Sequence, residues 1–129
     1  MNRVVAPSSV AAPVGPYSHG IVSSGAGTWL HIAGQVGVDA SGTLRAGFEA
    51  QARQAWENLV AVLSAVGMDV SHLVKVTTYL VAAGDLAKLG PVRAGFLGSA
   101  RPASTLVVVA ALARPDWLFE VDAVAFRPA

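Results

Sequence analysis

Two carboxylates near the C-terminal end of the sequence have the spacing of neighbours on one face of a β-strand. The segment Leu118–Ala125 alternates, so that Glu120 and Asp122 point to one side while Phe119 and Val121 point to the other. Carboxylates placed in this way can orient a water molecule or transfer protons. The same pattern is typical of the solvated outer face of a sheet, so the spacing alone leaves both interpretations open.

Tyr17 is a second candidate, because it follows the stiff dipeptide Gly15-Pro16. A rigid loop of this kind holds an aromatic hydroxyl in a defined place. Ordinary packing, with the hydroxyl satisfied nearby, explains the residue equally well. Gly34 interrupts an apolar strand pattern and predicts a bulge or a close backbone approach.

Other reaction chemistries lack their motifs. The three histidines show no metal-ligand spacing, and the chain has no cysteine, no P-loop and no nucleophile elbow. Ser18 and His19 are adjacent, so on a strand they point to opposite faces and do not form a nucleophile–base pair. We therefore expect neither a metal nor a bound cofactor.

Composition limits the partners. The net charge is +1 and the basic residues are scattered, which argues against nucleic-acid binding. No apolar run approaches the length of a membrane helix, and the N-terminus does not resemble a secretory signal, so we expect a cytoplasmic protein. The hydrophobic fraction of 53% is high for 129 residues and predicts contacts between subunits.

The clearest predicted element is a helix over Gly47–Val66. Its apolar residues recur at steps of three and four, which gives one buried stripe. The polar residues are expected on the opposite, outer side: Glu49, Gln51, Arg53, Gln54, Glu57 and Asn58.

The remaining elements predict one α+β domain over residues 1–129, with two helices on one face of a mixed sheet. Strands are predicted around Val4-Val5 and over Ser18–Val22, Thr28–Ala33, Val74–Leu80, Ser104–Val109 and Leu118–Ala125. The second and third of these are expected to form a hairpin. A second helix is predicted over Gly84–Leu97, either kinked at Pro91 or restarted with Pro91 in its first turn. We expect another copy of the chain to cover the second face of the sheet.

Six segments, in order, carry the motifs of a known family: Gly15–Ser18, Ala33–Val36, Gln51–Leu59, Val74–Leu80, Pro102–Thr105 and Phe119–Ala125. With them the chain resembles the RidA family, also called YjgF/YER057c/UK114. The resemblance extends from Gly15 to Ala125.

The resemblance implies a chorismate-mutase-like fold assembled as a homotrimer, with a central barrel and three clefts at the subunit interfaces. The best-known family activity is cofactor-independent hydrolysis of reactive enamines and imines to a 2-keto acid and ammonia. In the family a glutamate on the last strand positions the water, and the tyrosine of the Gly-Pro-Tyr motif closes the pocket. The matching residues here are Glu120 and Tyr17, and Gly34 would let the backbone approach the ligand.

The family's carboxylate-binding arginine does not carry over. Its motif Pro-Ala-Arg-Ser corresponds here to Pro102–Thr105, so that Ser104 takes the place of the arginine. Losing a bidentate guanidinium contact costs about 2–4 kcal/mol of substrate binding. Arg101 could replace it only if its loop folds back, and Leu106 and Leu118 favour a more neutral or larger substrate.

These features favour a hydrolase of the imine or enamine deaminase type, acting on a small molecule other than a small 2-imino acid. The alternative is a non-catalytic trimer that binds a small metabolite or a partner protein. Some family members are described as endoribonucleases or translation inhibitors. The absence of a basic patch makes that activity the poorest fit.

Overall fold

A computed structural model describes the whole chain, residues 1–129, with two α-helices and six β-strands. Helix α1 spans Phe48–Ala65, with Gly47 and Val66 as its flanking cap residues. Its apolar stripe is buried against the sheet. The prediction for this helix is confirmed to within one residue at each end, because a sustained helical repeat of apolar residues is a strong local signal.

The polar side of α1 differs from the prediction. Gln51 and Gln54, expected on the outer side, are both buried, and Gln51 is only 2% exposed. Gln51 accepts a hydrogen bond from the Leu118 N–H at 2.8 Å and donates one to the Asp116 carbonyl at 3.1 Å. The prediction was wrong here because an amide side chain can be buried when its donor and acceptor are both satisfied.

Helix α2 (Leu86–Leu97) packs on α1 and follows a single 3₁₀ turn. The helix begins at Leu86 and Pro91 lies beyond its first turn, so the alternative that places Pro91 in the first turn of a restarted helix is wrong. Proline removes one backbone hydrogen bond, but Leu89 and Val92 are buried and hold the helix by tertiary packing. Neither helix has the length and apolar character that crossing a membrane requires.

The main sheet has four strands: β3 (Gly27–Val36), β4 (Leu73–Leu80), β5 (Ala103–Val108) and β6 (Phe119–Pro128). Their order is β3-β6-β4-β5, in which β6 is antiparallel to both neighbours and β4 is parallel to β5. A mixed sheet with two helices is the α+β architecture predicted from the sequence. The strand β5 lies at the edge of this sheet.

The first two strands form a separate antiparallel ribbon, β1 (Asn2–Val5) with β2 (Gly20–Ser23). The predicted hairpin between Ser18–Val22 and Thr28–Ala33 is therefore wrong. The turn residues between these segments indicate that the chain reverses, but they do not determine which strands pair. Here β2 pairs with the N-terminal strand, while β3 pairs with β6.

One face of the sheet packs against the helices and forms the core. Alternate residues of β4 and β6 lie on this side. The largest fully buried side chains of the sheet and the helices together are Trp56, Phe119, Leu59, Leu63, Leu80, Leu89, Val76, Val121 and Thr78. The opposite side of the sheet has no helix on it, and we call it the open face. It carries Trp29, His31, Lys75, Thr77, Tyr79, Glu120, Asp122 and Val124. The open face is more polar than the valine and leucine content of the strands indicated.

Candidate functional site

Glu120 lies on the open face, directly against the backbone of Gly34. The pairing of β3 with β6 shifts register between Ile32 and Gln35, which is the bulge predicted at Gly34. A Cβ added at Gly34 would come within 2.8 Å of the Glu120 Cδ and still closer to its Oε2. The Glu120 carboxylate therefore occupies the space that a side chain at position 34 would need.

The Glu120 carboxylate makes no hydrogen bond or ion pair within the chain. It is half-buried, and burial raises its pKa above the ordinary value; the negative charge of Asp122 raises the pKa further. A carboxylate that binds a proton more readily than usual, and has no protein partner, is suited to accept a proton from water.

Asp122 is held by Tyr79. The Tyr79 hydroxyl donates a hydrogen bond to Asp122 Oδ2 at 2.8 Å. This hydrogen bond raises the pKa of Tyr79, and burial and the nearby carboxylates add to the effect. Sequence reasoning placed Asp122 beside Glu120 but missed Tyr79, because the pairing depends on the register of β4 with β6.

The other predicted site residues gather at the edge strand β5. Ser18 forms a parallel bridge with Ala103, and its Oγ donates to the Arg101 carbonyl at 2.5 Å. This places Tyr17 beside the start of β5. Tyr17 is half-buried, and its hydroxyl has no hydrogen-bond partner within the chain.

Ser104 and Leu106 point to the helix side of the sheet, not to the open face. They pair in register with Val76 and Thr78, both buried on the core side. Each is half-buried, as expected for residues at the margin of a core.

One nitrogen of the exposed Arg101 guanidinium is hydrogen-bonded at the end of α2. Its Nη1 donates to the carbonyls of Gly98 and Ala100, both at 2.8 Å. A cation at this place stabilises the unpaired carbonyls of a helix C-terminus. Within one chain, Arg101 therefore contacts its own loop and not Glu120.

A single chain thus contains two separate groups of candidate residues. Glu120 and Gly34 lie on the open face, whereas Tyr17, Ser104 and Leu106 lie at the β5 edge. By strand spacing and rise, Glu120 and Ser104 are about 14 Å apart along the sheet and point to opposite sides. No concavity of the chain is lined by Glu120, Tyr17 or Ser104.

Two amide side chains of α1, the buried Gln51 and the half-buried Asn58, position the backbone on both sides of Glu120. Gln51 holds the residues that lead into β6, and Asn58 Nδ2 donates to the carbonyls of Val36 and Val38 at 3.2 and 2.9 Å. Val36 is the register partner of Glu120. Sequence reasoning missed this role, although both amides belong to the segment Gln51–Leu59 that carried the family resemblance.

No group of three or more His, Cys, Asp or Glu residues in the chain is arranged to hold a metal ion. The groups that the site itself offers are a carboxylate, a tyrosine hydroxyl and backbone groups.

The fold defines the class of protein: an α+β chain of the RidA type. A Rid-family protein from Yersinia pestis has the same fold, with a TM-score of 0.85 and 34% identity over 96% of this chain and 97% of that chain. RidA from an Antarctic Psychrobacter species gives a TM-score of 0.74 and 32% identity over 97% of this chain and 99% of that chain. These solved structures confirm the fold class.

The sequence model of the family described as "Endoribonuclease L-PSP" matches residues 8–127, and the chain belongs to this family, the RidA family. A RutC family protein of Pyrococcus horikoshii is 36% identical over 98% of this chain and 99% of its own length. A Salmonella typhimurium protein named 2-iminobutanoate/2-iminopropanoate deaminase is 31% identical over 98% of this chain and 99% of its own length. The family therefore includes imine deaminases.

Proposed function

We propose that this chain is a cofactor-independent hydrolase that adds water to a reactive imine or enamine and releases ammonia. The observation that carries the proposal is Glu120, an unpartnered, half-buried carboxylate with a raised pKa that lies against Gly34 on the open face. The relatives named 2-iminobutanoate/2-iminopropanoate deaminase support the reaction class.

The reaction needs little beyond orientation and proton transfer. An imine carbon is already electrophilic, so Glu120 has to hold a water beside it and accept a proton as the new C–O bond forms. The same carboxyl group then returns this proton to the nitrogen of the carbinolamine that forms from a protonated imine. As the C–N bond breaks and ammonia leaves, the carboxylate takes the proton of the carbinolamine hydroxyl, and the carbonyl product remains.

The complete site forms between copies of the chain in this proposal. In a homotrimer, the β5 edge of one subunit, with Tyr17 and Ser104, faces the Glu120 of its neighbour. The separation of these two groups within one chain supports such an arrangement, because neither group alone forms a concave site. Tyr17 would then close the pocket over a substrate bound at Glu120.

The substrate differs from a small 2-imino acid. Ser104 offers a hydroxyl where the family places an arginine, and the Arg101 guanidinium is bound to the carbonyls of its own loop. Leu106, at the same edge, packs against the core and brings no charge to this region. A substrate with a larger or less charged group fits these residues better than one that depends on a carboxylate clamp.

The test is ammonia release from imines generated in situ by an amino-acid oxidase, using small, large, acidic and aromatic parent amino acids. We expect the wild type to turn over some of these imines, and Glu120→Ala to do so at least 100-fold more slowly. The control Glu57→Gln changes the charge at an exposed position of α1 and should leave the rate unchanged. We expect Ser104→Arg to shift preference toward small 2-imino acids. Turnover that persists in Glu120→Ala would contradict the proposal.

A non-catalytic, ligand-binding trimer is the second candidate, and it is favoured by Ser104 in place of the family's arginine and by the Arg101 contacts to its own loop. If the wild type, Glu120→Ala and Ser104→Arg all fail to release ammonia above the spontaneous rate, the binding function is supported. Ligand-induced stabilisation against heat would then identify the metabolite class.

A further inference from the structure

Beside Glu120 the open face carries a hydrogen-bonded pair that the proposed reaction does not yet use. Tyr79 is the register partner of Glu120 on β4, and Asp122 follows Glu120 by two residues on β6. Directly paired side chains on antiparallel strands have Cβ atoms about 5 Å apart. Since the Tyr79 hydroxyl also bonds Asp122 at 2.8 Å, the three side chains form one compact group.

Few other ionisable residues face this group. Strand β3 has one titratable residue, His31, and β4 has only Lys75 in addition to Tyr79. His31 and Lys75 are both register partners of Val124, four residues along β6 from Glu120. The Lys75 Nζ donates to Thr105 Oγ1 at 2.6 Å, and β5 has no titratable residue. On β6, Arg127 donates to the carbonyls at the end of α1. The charge nearest to Glu120 in the chain is therefore that of Asp122.

We propose that Tyr79 and Asp122 are positioning residues for the reaction of Glu120: Tyr79 holds Asp122 so that its negative charge stays beside Glu120 throughout turnover. The inference rests on the proposed role of Glu120 as the carboxylate that activates water. Between attack of the water and protonation of the carbinolamine nitrogen, the transferred proton has to remain on Glu120. A fixed negative charge nearby favours that protonated form.

The directions of the pKa values agree with this arrangement. The pKa of Tyr79 is raised, so its hydroxyl remains protonated and continues to donate to Asp122. The pKa of Glu120 is raised by burial and then by Asp122, which brings the carboxyl group closer to the neutral pH at which it has to exchange protons.

The first test is a direct titration of Glu120. The chain has only three glutamates, Glu49, Glu57 and Glu120, so ¹³C-glutamate labelling gives three carboxyl signals, and Glu120→Gln assigns the third. In Asp122→Asn we expect the Glu120 signal to titrate at lower pH than in the wild type. The conservative variant Asp122→Glu should restore the wild-type midpoint. An unchanged midpoint in Asp122→Asn would overturn the proposal.

The second test is the pH dependence of ammonia release. In Asp122→Asn we expect kcat to fall about tenfold near neutral pH, with KM changed less than twofold, because the proton is held less well on Glu120. The acidic limb of the profile should move to lower pH. Tyr79→Phe should lower kcat and move the acidic limb in the same direction but by less, because Asp122 keeps its charge and loses only its fixed position. The matched control Glu57→Gln should leave the profile unchanged.

The outcomes separate this inference from the proposed function. If Asp122→Asn moves the Glu120 titration but the wild type hydrolyses no imine, the proposed function fails while the coupling of Asp122 to Glu120 is supported. If the wild type hydrolyses imines through Glu120, but Asp122→Asn lowers only thermal stability and leaves the pH profile in place, the pair is structural and the inference is overturned.

Discussion

Glu120 is an unfavourable residue for folding and a useful one for chemistry. It is half-buried, it has no hydrogen-bond partner, and a second carboxylate lies on the same face. A carboxylate in such surroundings opposes folding when it is ionised. Proteins often retain this kind of cost where function requires it.

Replacing Glu120 by glutamine should therefore leave the melting temperature at pH 7 unchanged or raise it by up to about 3 °C. Because its pKa is raised on folding, the ionised group opposes folding above the folded pKa, and this penalty disappears below the unfolded value of about 4.3. The gain should thus be absent at pH 3.5. Thermal unfolding followed by circular dichroism at both pH values measures the change in melting temperature. A large fall in the melting temperature at pH 7 would indicate a structural role for Glu120.

Gly34→Ala should separate activity from stability. The added Cβ meets only the flexible end of the Glu120 side chain, which can move aside at little cost to the fold but loses its place in the site. We expect at least a tenfold loss of kcat with a melting temperature close to wild type. Gly37→Ala is the contrasting variant, because its Cβ would lie 2.5 Å from the Gln51 Cα in the backbone of α1. It should destabilise the fold, and equal destabilisation by both variants would contradict this account.

At the scale of residues, the sequence predicts what depends on alternation and misses what depends on register. The face of Glu120 and Asp122 follows from the period of two along β6. The bond from Tyr79 to Asp122 requires knowing that β4 pairs with β6 and where, and the pattern within either strand contains neither fact.

Among the elements, α1 both forms the core and sets the geometry of the loops around Glu120. Gln51 bonds the chain just before β6, and Asn58 bonds the two carbonyls at the end of β3. Gln54 Nε2 donates to Asn58 Oδ1 at 2.9 Å and thereby orients the Asn58 amide, while Gln51 makes its own separate contacts. This arrangement holds β3 and β6 in place where Gly34 meets Glu120.

Gln51→Leu should therefore reduce stability and activity together. The change leaves the Leu118 N–H and the Asp116 carbonyl without a partner in a buried region, at a cost of about 1–3 kcal/mol. Urea unfolding should show a lower midpoint with an unchanged slope. Glu57→Gln on the exposed side of the same helix serves as the control. A stability equal to wild type would mean that the Gln51 hydrogen bonds contribute little.

The elements were predictable to different degrees. The limits of α1 follow from a long apolar stripe, and the bulge in β3 follows from Gly34. The pairing of β2 was not predictable, because a turn specifies a reversal and the partner strand is chosen by contacts distant in sequence. The burial of Gln51 and Gln54 was equally hidden, since polarity alone does not reveal a satisfied amide.

For the whole molecule, the open face and the β5 edge are the surfaces that remain uncovered. Trp29 on the open face is 50% exposed, and Val107 and Val108 on β5 are 37% and 49% exposed. Apolar side chains beside unpaired strand edges are typical of surfaces that meet another chain. The proposed trimer would bring both surfaces into contact and complete each site with residues of two subunits.

Complementation between two inactive variants tests this arrangement. Glu120→Ala and Tyr17→Ala should each retain less than about a tenth of wild-type kcat. If each site takes Glu120 from one subunit and Tyr17 from its neighbour, random mixed trimers should recover about a quarter of wild-type activity, because one interface in four pairs two intact residues. The two variants are co-expressed with different tags, so that mixed trimers can be detected through both tags. The mass of the assembly measured by light scattering should be about three times the chain mass of 13.2 kDa. Activity no greater than the sum of the separate variants, in a confirmed mixed trimer, would place both residues in a site within one chain.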